Sequence, residues 1–510
     1  MNKKNGILLV FVLLKFILQY ALVNSTYELH RDEFLHLDQG NHLAWGFLSV
    51  PPVTSIISKI IYFLGNTLFW IRFFPALFGA LTLIFVWKAV EELKGNLFSL
   101  ILAATAILFS VLLRLNILFQ PNSLDVLCWT AFYFIFLKYI NSADSKWLYA
   151  GALIFALGFL NKYNIIFLLV GLFPALLLTP QRSIFLKPSF YISTLLTLLL
   201  IAPNLWWQYK HHFPVYHHLK ELTDTQLINV SRVGFLKEQV IYFLGSLFVL
   251  FAAFYALVFY APFKKYRVFF WSFCITLMVF IALKAKGYYA IGLYPIYLAF
   301  GSAYLGELLK RGSTKVNNLR FACVLLPFLF FIPMYHTAFP NKTPAYILAH
   351  QATYRALGLL RWEDGKDHLL PQDFADMLGW KELANKVDLA FSRLPKGEHT
   401  LVLCDNYGQA GAINYYKKTK QMTAVSFNAD YLHWINLDKK YVHLIRVKNY
   451  REVKEELKKT SPFFADTFVA DSVTNPYARE YGTTVFIFRN THIDINERIR
   501  REINENEIRD

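Results

Sequence analysis

The run 147–179, WLYAGALIFALGFLNKYNIIFLLVGLFPALLLT, decides what kind of molecule this is. It is apolar nearly throughout and is broken only by Asn161, Lys162, Tyr163 and Asn164. About 20 apolar helical residues cross a bilayer, so the run reads as two helical arms joined by a tight polar reversal. At membrane depth such backbone is tolerated only where it is buried in protein or lines a cavity. Lys162 and its neighbours are therefore a marked spot in the chain.

Runs of the same character recur outward from it. The candidate spans are 6–23, 67–87, 97–113, 124–140, 147–160, 164–180, 189–207, 236–260, 268–284, 290–309 and 321–338. With 55% hydrophobic and 17% aromatic residues among 510, and a mean hydropathy of +0.35, an ordinary soluble protein is excluded. The expected fold is a polytopic α-helical membrane protein of about 11 transmembrane helices. The run 6–23 follows MNKKN and precedes no small-residue cleavage site, so it is read as a retained first helix. Residues 341–510 carry 25 basic and 23 acidic side chains, which leaves all but +2 of the net charge of +17 in the first 340. That excess belongs to membrane loops and argues against nucleic acid as a partner. Cys128, Cys274, Cys323 and Cys404 are scattered, without disulfide or metal-type spacing.

The basic residues of the short loops set the orientation. With eleven spans, Lys3 and Lys4, Arg182 and Lys187, Lys264, Lys265 and Arg267, and Lys310, Arg311, Lys315 and Arg320 share one side, the cytoplasm. The N-terminus then lies inside. The loop after the first span, the turn before Asp125, the 161–164 break, the loop 208–235, the segment 284–289 and the C-terminal region lie outside.

Composition changes at about Pro340. The division expected is a membrane domain, 1–339, with an outer loop at 24–66, and a soluble α/β domain, 340–510. Strands are expected at 399–404, 441–447 and 483–488, with helices at 453–459 and between 374 and 389. The charged terminus, NERIRREINENEIRD, is expected to be a solvated or frayed end.

The outer loop carries RDEFLHLDQGNHLAWGFLSVPPV, 31–53. Carboxylates beside hydrocarbon are costly enough to mark a site. A short surface helix beginning at Asp32 would set Asp32, His36, Gln39 and Leu43 on one face and bury Phe34, Leu37 and Trp45 in the membrane interface. The bland alternative is that Asp32 and Glu33 cap that helix and complement its dipole. Asp125 invites the same two readings. Cations gather on this side: Arg72, Arg114, Lys162, Lys284 and Lys286. Singly, each suits a snorkelling role, and together with a carboxylate they suit a sugar-bearing phosphate. Tyr288 and Tyr289 add amphipathic rings.

These segments resemble a family, the membrane-embedded lipid-phosphate-sugar glycosyltransferases of the GT-C fold (family 39 type). The likeness is to bacterial members related to protein O-mannosyltransferases and to the aminoarabinose transferase of lipid A. The matching stretches are DEFLHLDQGNHLAWGFLSVPPV, 32–53; RFFPAL, 72–77; FQPNSLDVLCW, 119–129; LGFLNKYNIIFLL, 157–169; KGYYAIGLYPIYLAFGSA, 286–303; and DNYGQAGAINYY, 405–416. The resemblance implies Asp32 as general base and Glu33 as the second acid. It implies a polyprenyl-phosphate-linked sugar as donor, and a bacterial inner membrane location with a periplasmic C-terminal domain. Lys162, Lys286 and Arg72 are the expected phosphate ligands, with His36, Asp125, Tyr163, Tyr288 and Tyr289 in support. The chain departs from the pattern where Ser49 and Val50 precede the double proline, and where Leu35 and His36 replace a tyrosine pair.

A lipid phosphate leaves readily once cations stabilise it, whereas the acceptor hydroxyl needs a base. A single displacement with inversion is expected, with no covalent nucleophile. The acceptor is a glycolipid, a glycan or a protein, and Tyr407, Gln409, Asn414 and Tyr415 are candidates for choosing it. No metal is assigned, although acids on two loops could hold a divalent cation. The competing readings are a lipid or polysaccharide transporter and a membrane scaffold that has lost activity.

Overall fold

The computed structural model describes residues 3–225, 227–310 and 313–509, so Arg311 lies outside the described residues. The chain divides into two compact units: 1–23, 50–54 and 64–341 form one, and 24–49, 55–63 and 342–510 form the other. The longest stretch of the second unit begins at Lys342. The outer loop expected with the membrane part divides differently, because most of 24–63 packs within the second unit.

The first unit is helical. Among the described residues six helices are long and apolar enough to cross a membrane: Lys3–Ala21, Leu68–Glu92, Pro121–Ser142, Pro188–Lys210, Ala261–Ala282 and Thr314–Thr337. Two bent pairs, Tyr163–Leu177 with Pro180–Leu186 (105°) and Arg232–Tyr242 with Leu244–Phe259 (65°), make the number eight when each pair is counted as one span. The helices Leu97–Leu108, Lys146–Asn161 and Pro295–Leu308 are shorter. Each of the eleven expected segments contains a helix, although 97–113 ends its helix at Leu108, 290–309 is interrupted at Tyr294, and 236–260 is not one straight helix. It breaks at Phe243, two residues before Gly245, where a Cβ would sit 2.7 Å from Pro327 Cα and 3.0 Å from Phe330 Cβ. Close backbone approach there requires glycine, and the bend follows. The unit's interior is aromatic and hydrogen-bonded: Tyr133 and Ser272 hydroxyls lie 2.9 Å apart, and Tyr297 Oη donates to Phe269 O at 2.6 Å. Lys15 of the first span is buried and donates to Asn116 Oδ1 (2.8 Å) and Leu112 O (3.3 Å), which satisfies an ammonium that lipid could not.

The second unit is a three-layer α/β domain. Its strands are β1 His399–Cys404, β2 Ala424–Ser426, β3 Tyr441–Lys448, β4 Phe464–Ser472 and β5 Thr484–Thr491, in the order β2-β1-β3-β5-β4. The first three are parallel, and β5 and β4 are antiparallel additions. Leu401–Cys404 of β1 and Val485–Phe488 of β5 are uninterrupted hydrophobic runs because helices cover both faces. Trp380–Ser392 and Tyr407–Tyr416 lie on one face. On the other, Leu401, Leu403, Leu444, Phe486 and Phe488 pack with Ile495 and Ile499. Those two isoleucines correct the expectation of a frayed terminus: Ile495–Arg509 is helical and buries its apolar stripe on the sheet.

Candidate functional site

Arg31–Gln39 forms the expected short helix. His30 caps it, accepting from Asp32 N–H at 3.2 Å, while Glu33 Oε2 accepts from His30 N–H at 2.7 Å. This reciprocal capping box satisfies amides that the first turn leaves open. Glu33 is wholly buried, so for this residue the capping alternative is what the geometry displays. Asp32 points elsewhere. Its side chain is 36% exposed, and Oδ1 accepts a 2.6 Å bond from Tyr407 Oη. The Arg31 guanidinium lies over the Tyr407 ring, 4.5 Å from its centroid.

His30 Nδ1 is 3.8 Å from Asp32 Oδ2, and His30 Nε2 is 3.7 Å from Asp376 Oδ2. Arg479 grips both Asp376 oxygens at 3.1 Å. Burial pushes the Asp32 carboxyl up, but the neighbouring His30, the Arg31 guanidinium and the Tyr407 bond outweigh it and hold the group below the usual carboxylate range. Asp32 is therefore an ionised, oriented carboxylate. Asp376, more deeply enclosed, is pushed up by burial.

The far half of the helix is locked as firmly. His36 Nδ1 donates to Gln39 Oε1 at 3.0 Å, Gln39 Nε2 donates to Asp430 at 2.8 Å, and Leu48 N–H donates to the same carboxylate at 2.8 Å. Asp38 accepts from Asn414 (2.8 Å) and Tyr431 (2.9 Å). Phe34, expected in the membrane interface, is instead enclosed by Trp380, Tyr415 and Tyr416, with ring centroids 5.7, 5.8 and 5.7 Å away. Leu37 is buried too, whereas Leu43 and Trp45 are half exposed. Small residues in the helix Tyr407–Tyr416 permit this contact. A Cβ on Gly411 would meet Phe34 Cβ at 2.8 Å, and one on Gly408 would meet Arg31 Cβ at 3.3 Å.

In the first unit a separate polar cluster surrounds the 161–164 break. Lys162 Nζ donates to Asn122 Oδ1 at 2.6 Å and lies 4.7 and 5.2 Å from the ring centroids of Tyr289 and Tyr288. Asp125 accepts from Trp129 Nε1 (3.1 Å) and Asn164 Nδ2 (2.9 Å), and Asn164 also donates to Tyr289 O. Tyr163 Oη donates to Asn204 (3.1 Å) and accepts from Gln208. Asn122 and the rings of Tyr288 and Tyr289 thus hold the Lys162 ammonium from three sides. Lys286 is half-buried at the start of the turn bearing those tyrosines. Arg72 is buried inside its span and donates to Ile117 O, a scaffold contact. Among the described residues no three His, Cys, Asp or Glu side chains are grouped to hold a metal.

Sequence reasoning found Asp32, Asp125 and Lys162 but missed Asp376, Asp430, Arg479 and Glu480. Those partners lie hundreds of residues away with no shared periodicity. Of the four candidates in the second unit, Tyr407 bonds Asp32, Asn414 bonds Asp38, Tyr415 packs on Phe34, and Gln409 donates to Glu480 at 2.6 Å.

Residues 49–207 match the model of a family described as dolichyl-phosphate-mannose-protein mannosyltransferase. No curated protein matches the chain by sequence. Two crystal structures of ArnT from Cupriavidus metallidurans share the fold. The one bound to undecaprenyl phosphate gives a TM-score of 0.62 at 12% identity, over 94% of this chain and 98% of ArnT. The apo structure gives 0.60 at 12% identity, over 95% and 98%. The fold expected from the motifs is thereby borne out.

Proposed function

We propose that this chain, a multi-pass GT-C membrane protein of the mannosyltransferase-like and ArnT-like group, is a glycosyltransferase that moves a sugar from a polyprenyl phosphate to an acceptor hydroxyl outside the cytoplasm. The observation that carries this reading is the state of Asp32, an accessible carboxylate kept ionised and aimed by its neighbours. The acceptor oxygen attacks the anomeric carbon as the bond to the lipid phosphate breaks, with inversion, and Asp32 takes the hydroxyl proton. Lys162 and Lys286 balance the charge on the departing phosphate, and Tyr288, Tyr289 and Asn122 fix Lys162. Asp125 and Tyr163 hold the break in shape, and Glu33 and His36 hold the helix of Asp32. Arg72 supports the backbone at Ile117.

Purified protein is given undecaprenyl-phosphate mannose, glucose or aminoarabinose with an envelope lipid extract, and release of undecaprenyl phosphate is followed. Asp32→Asn is expected to cut turnover at least 100-fold while undecaprenyl phosphate still binds. Undiminished turnover in that variant sinks the assignment. Lys162→Met is expected to weaken undecaprenyl phosphate binding by about tenfold, the worth of one charge-assisted hydrogen bond, checked by titration of the intrinsic tryptophan fluorescence.

A further inference from the structure

We infer that Tyr407 is a positioning residue for Asp32: within the second unit, the helix Tyr407–Tyr416 sets the direction of the proposed base on the helix Arg31–Gln39. The inference rests on Asp32 acting as that base.

The phenol is held at both ends. At the backbone end, Asn406 caps the helix by accepting from Gln409 N–H at 3.0 Å, and Asn406 and Gln409 both donate to buried Glu480, at 3.2 and 2.6 Å. Gly408, pressed against Trp380 and Arg31, leaves the first turn little room to shift. At the hydroxyl end, the 2.6 Å bond commits Oδ1 of Asp32. The Arg31 cation over the ring withdraws electron density from the phenol and strengthens it as a donor. A carboxylate anchored through one oxygen has a defined direction for the other, and a base off by even 1 Å loses much of its rate. Other groups facing Asp32 include His30, Arg31 and His36 from its own stretch, and Asp376 from the segment before Trp380. Against these longer-range neighbours, the Tyr407 hydroxyl makes a direct 2.6 Å bond to Asp32 Oδ1. Burial and the neighbouring carboxylate push the phenol well above its ordinary value, so the proton stays on Tyr407.

The test is Tyr407→Phe, which keeps the ring and its packing and removes the hydroxyl. Losing a donor to the carboxylate raises the pKa of Asp32, so the acid limb of kcat against pH moves to higher pH. We expect a displacement of about one pH unit, a fall in kcat of about tenfold and little change in KM for undecaprenyl-phosphate mannose or whichever of the three donors turns over. Placing 3-fluorotyrosine, a more acidic phenol, at 407 moves the limb the opposite way, which lost packing would not do. An unmoved limb with normal kcat in Tyr407→Phe, while Asp32→Asn is dead, overturns the role of Tyr407 and leaves the base in place. Full activity in Asp32→Asn overturns both.

Discussion

Asp32 and Glu33 are adjacent and alike in the sequence, yet their surroundings divide them. Glu33 turns back to the His30 amide and is sealed in, while Asp32 turns out toward Tyr407. Glu33→Ala is expected to cost about 1 kcal/mol of stability through the lost cap, read from thermal unfolding of the purified protein. His36 gives a pH signature. Burial holds its imidazole below the ordinary 6.5, and Gln39 and the carboxylates of Asp32, Asp430 and Glu33 offset this only in part. The unfolded chain therefore takes up a proton first, so stability falls as pH drops below about 6.5 toward the lower folded value. His36→Gln should flatten that part of the stability curve relative to the native protein, and parallel curves would contradict the sign. An acid beside an apolar run made Asp32 legible. Its partners were not, since a hydrogen bond across 375 positions leaves no trace in local pattern.

At the scale of elements, long apolar runs and buried strands were readable because length and hydropathy define them. The breaks were less so. The bend near Gly245 depends on what packs against it, and only a Gly-Ser pair in an apolar run hints at it. The strand β4, FADTFVADS, was missed because as an edge strand it is exposed or half-buried at all but its first residue and carries acids. The contact between the helices Arg31–Gln39 and Tyr407–Tyr416 has a sharp test. Alanine favours a helix over glycine by about 1 kcal/mol, but at 411 its methyl group would press on Phe34 Cβ and the Tyr431 hydroxyl at 2.8 and 2.6 Å. Gly411→Ala is therefore expected to destabilise by about 1–3 kcal/mol, the ordinary penalty of overpacking. A higher unfolding temperature would show that the helices can part without cost.

For the whole molecule, the second unit is discontinuous in sequence, and this was the largest departure from expectation. Hydropathy marks where a chain stops being membrane-like, but not which distant segment fills a soluble core. A fragment of residues 342–510 lacks Phe34 for its Trp380, Tyr415 and Tyr416 pocket, and lacks Asp38 and Gln39 for Asn414, Tyr431 and Asp430. It is expected to bind a hydrophobic dye and to unfold without a sharp transition, whereas a well-dispersed NMR spectrum would refute this.

That discontinuity also fixes an order of events in the cell. Residues 24–63 leave the ribosome first, and their partners follow only after Leu64–Asn341 has been made. At ~5–20 residues per second this is a wait on the order of half a minute. During it Phe34, Leu35, Leu37 and Phe47 have no core to enter. Maturation of this protein therefore includes an interval in which the helix Arg31–Gln39 has no folded partner for its apolar side chains, and it ends only when residues 342–510 have been made.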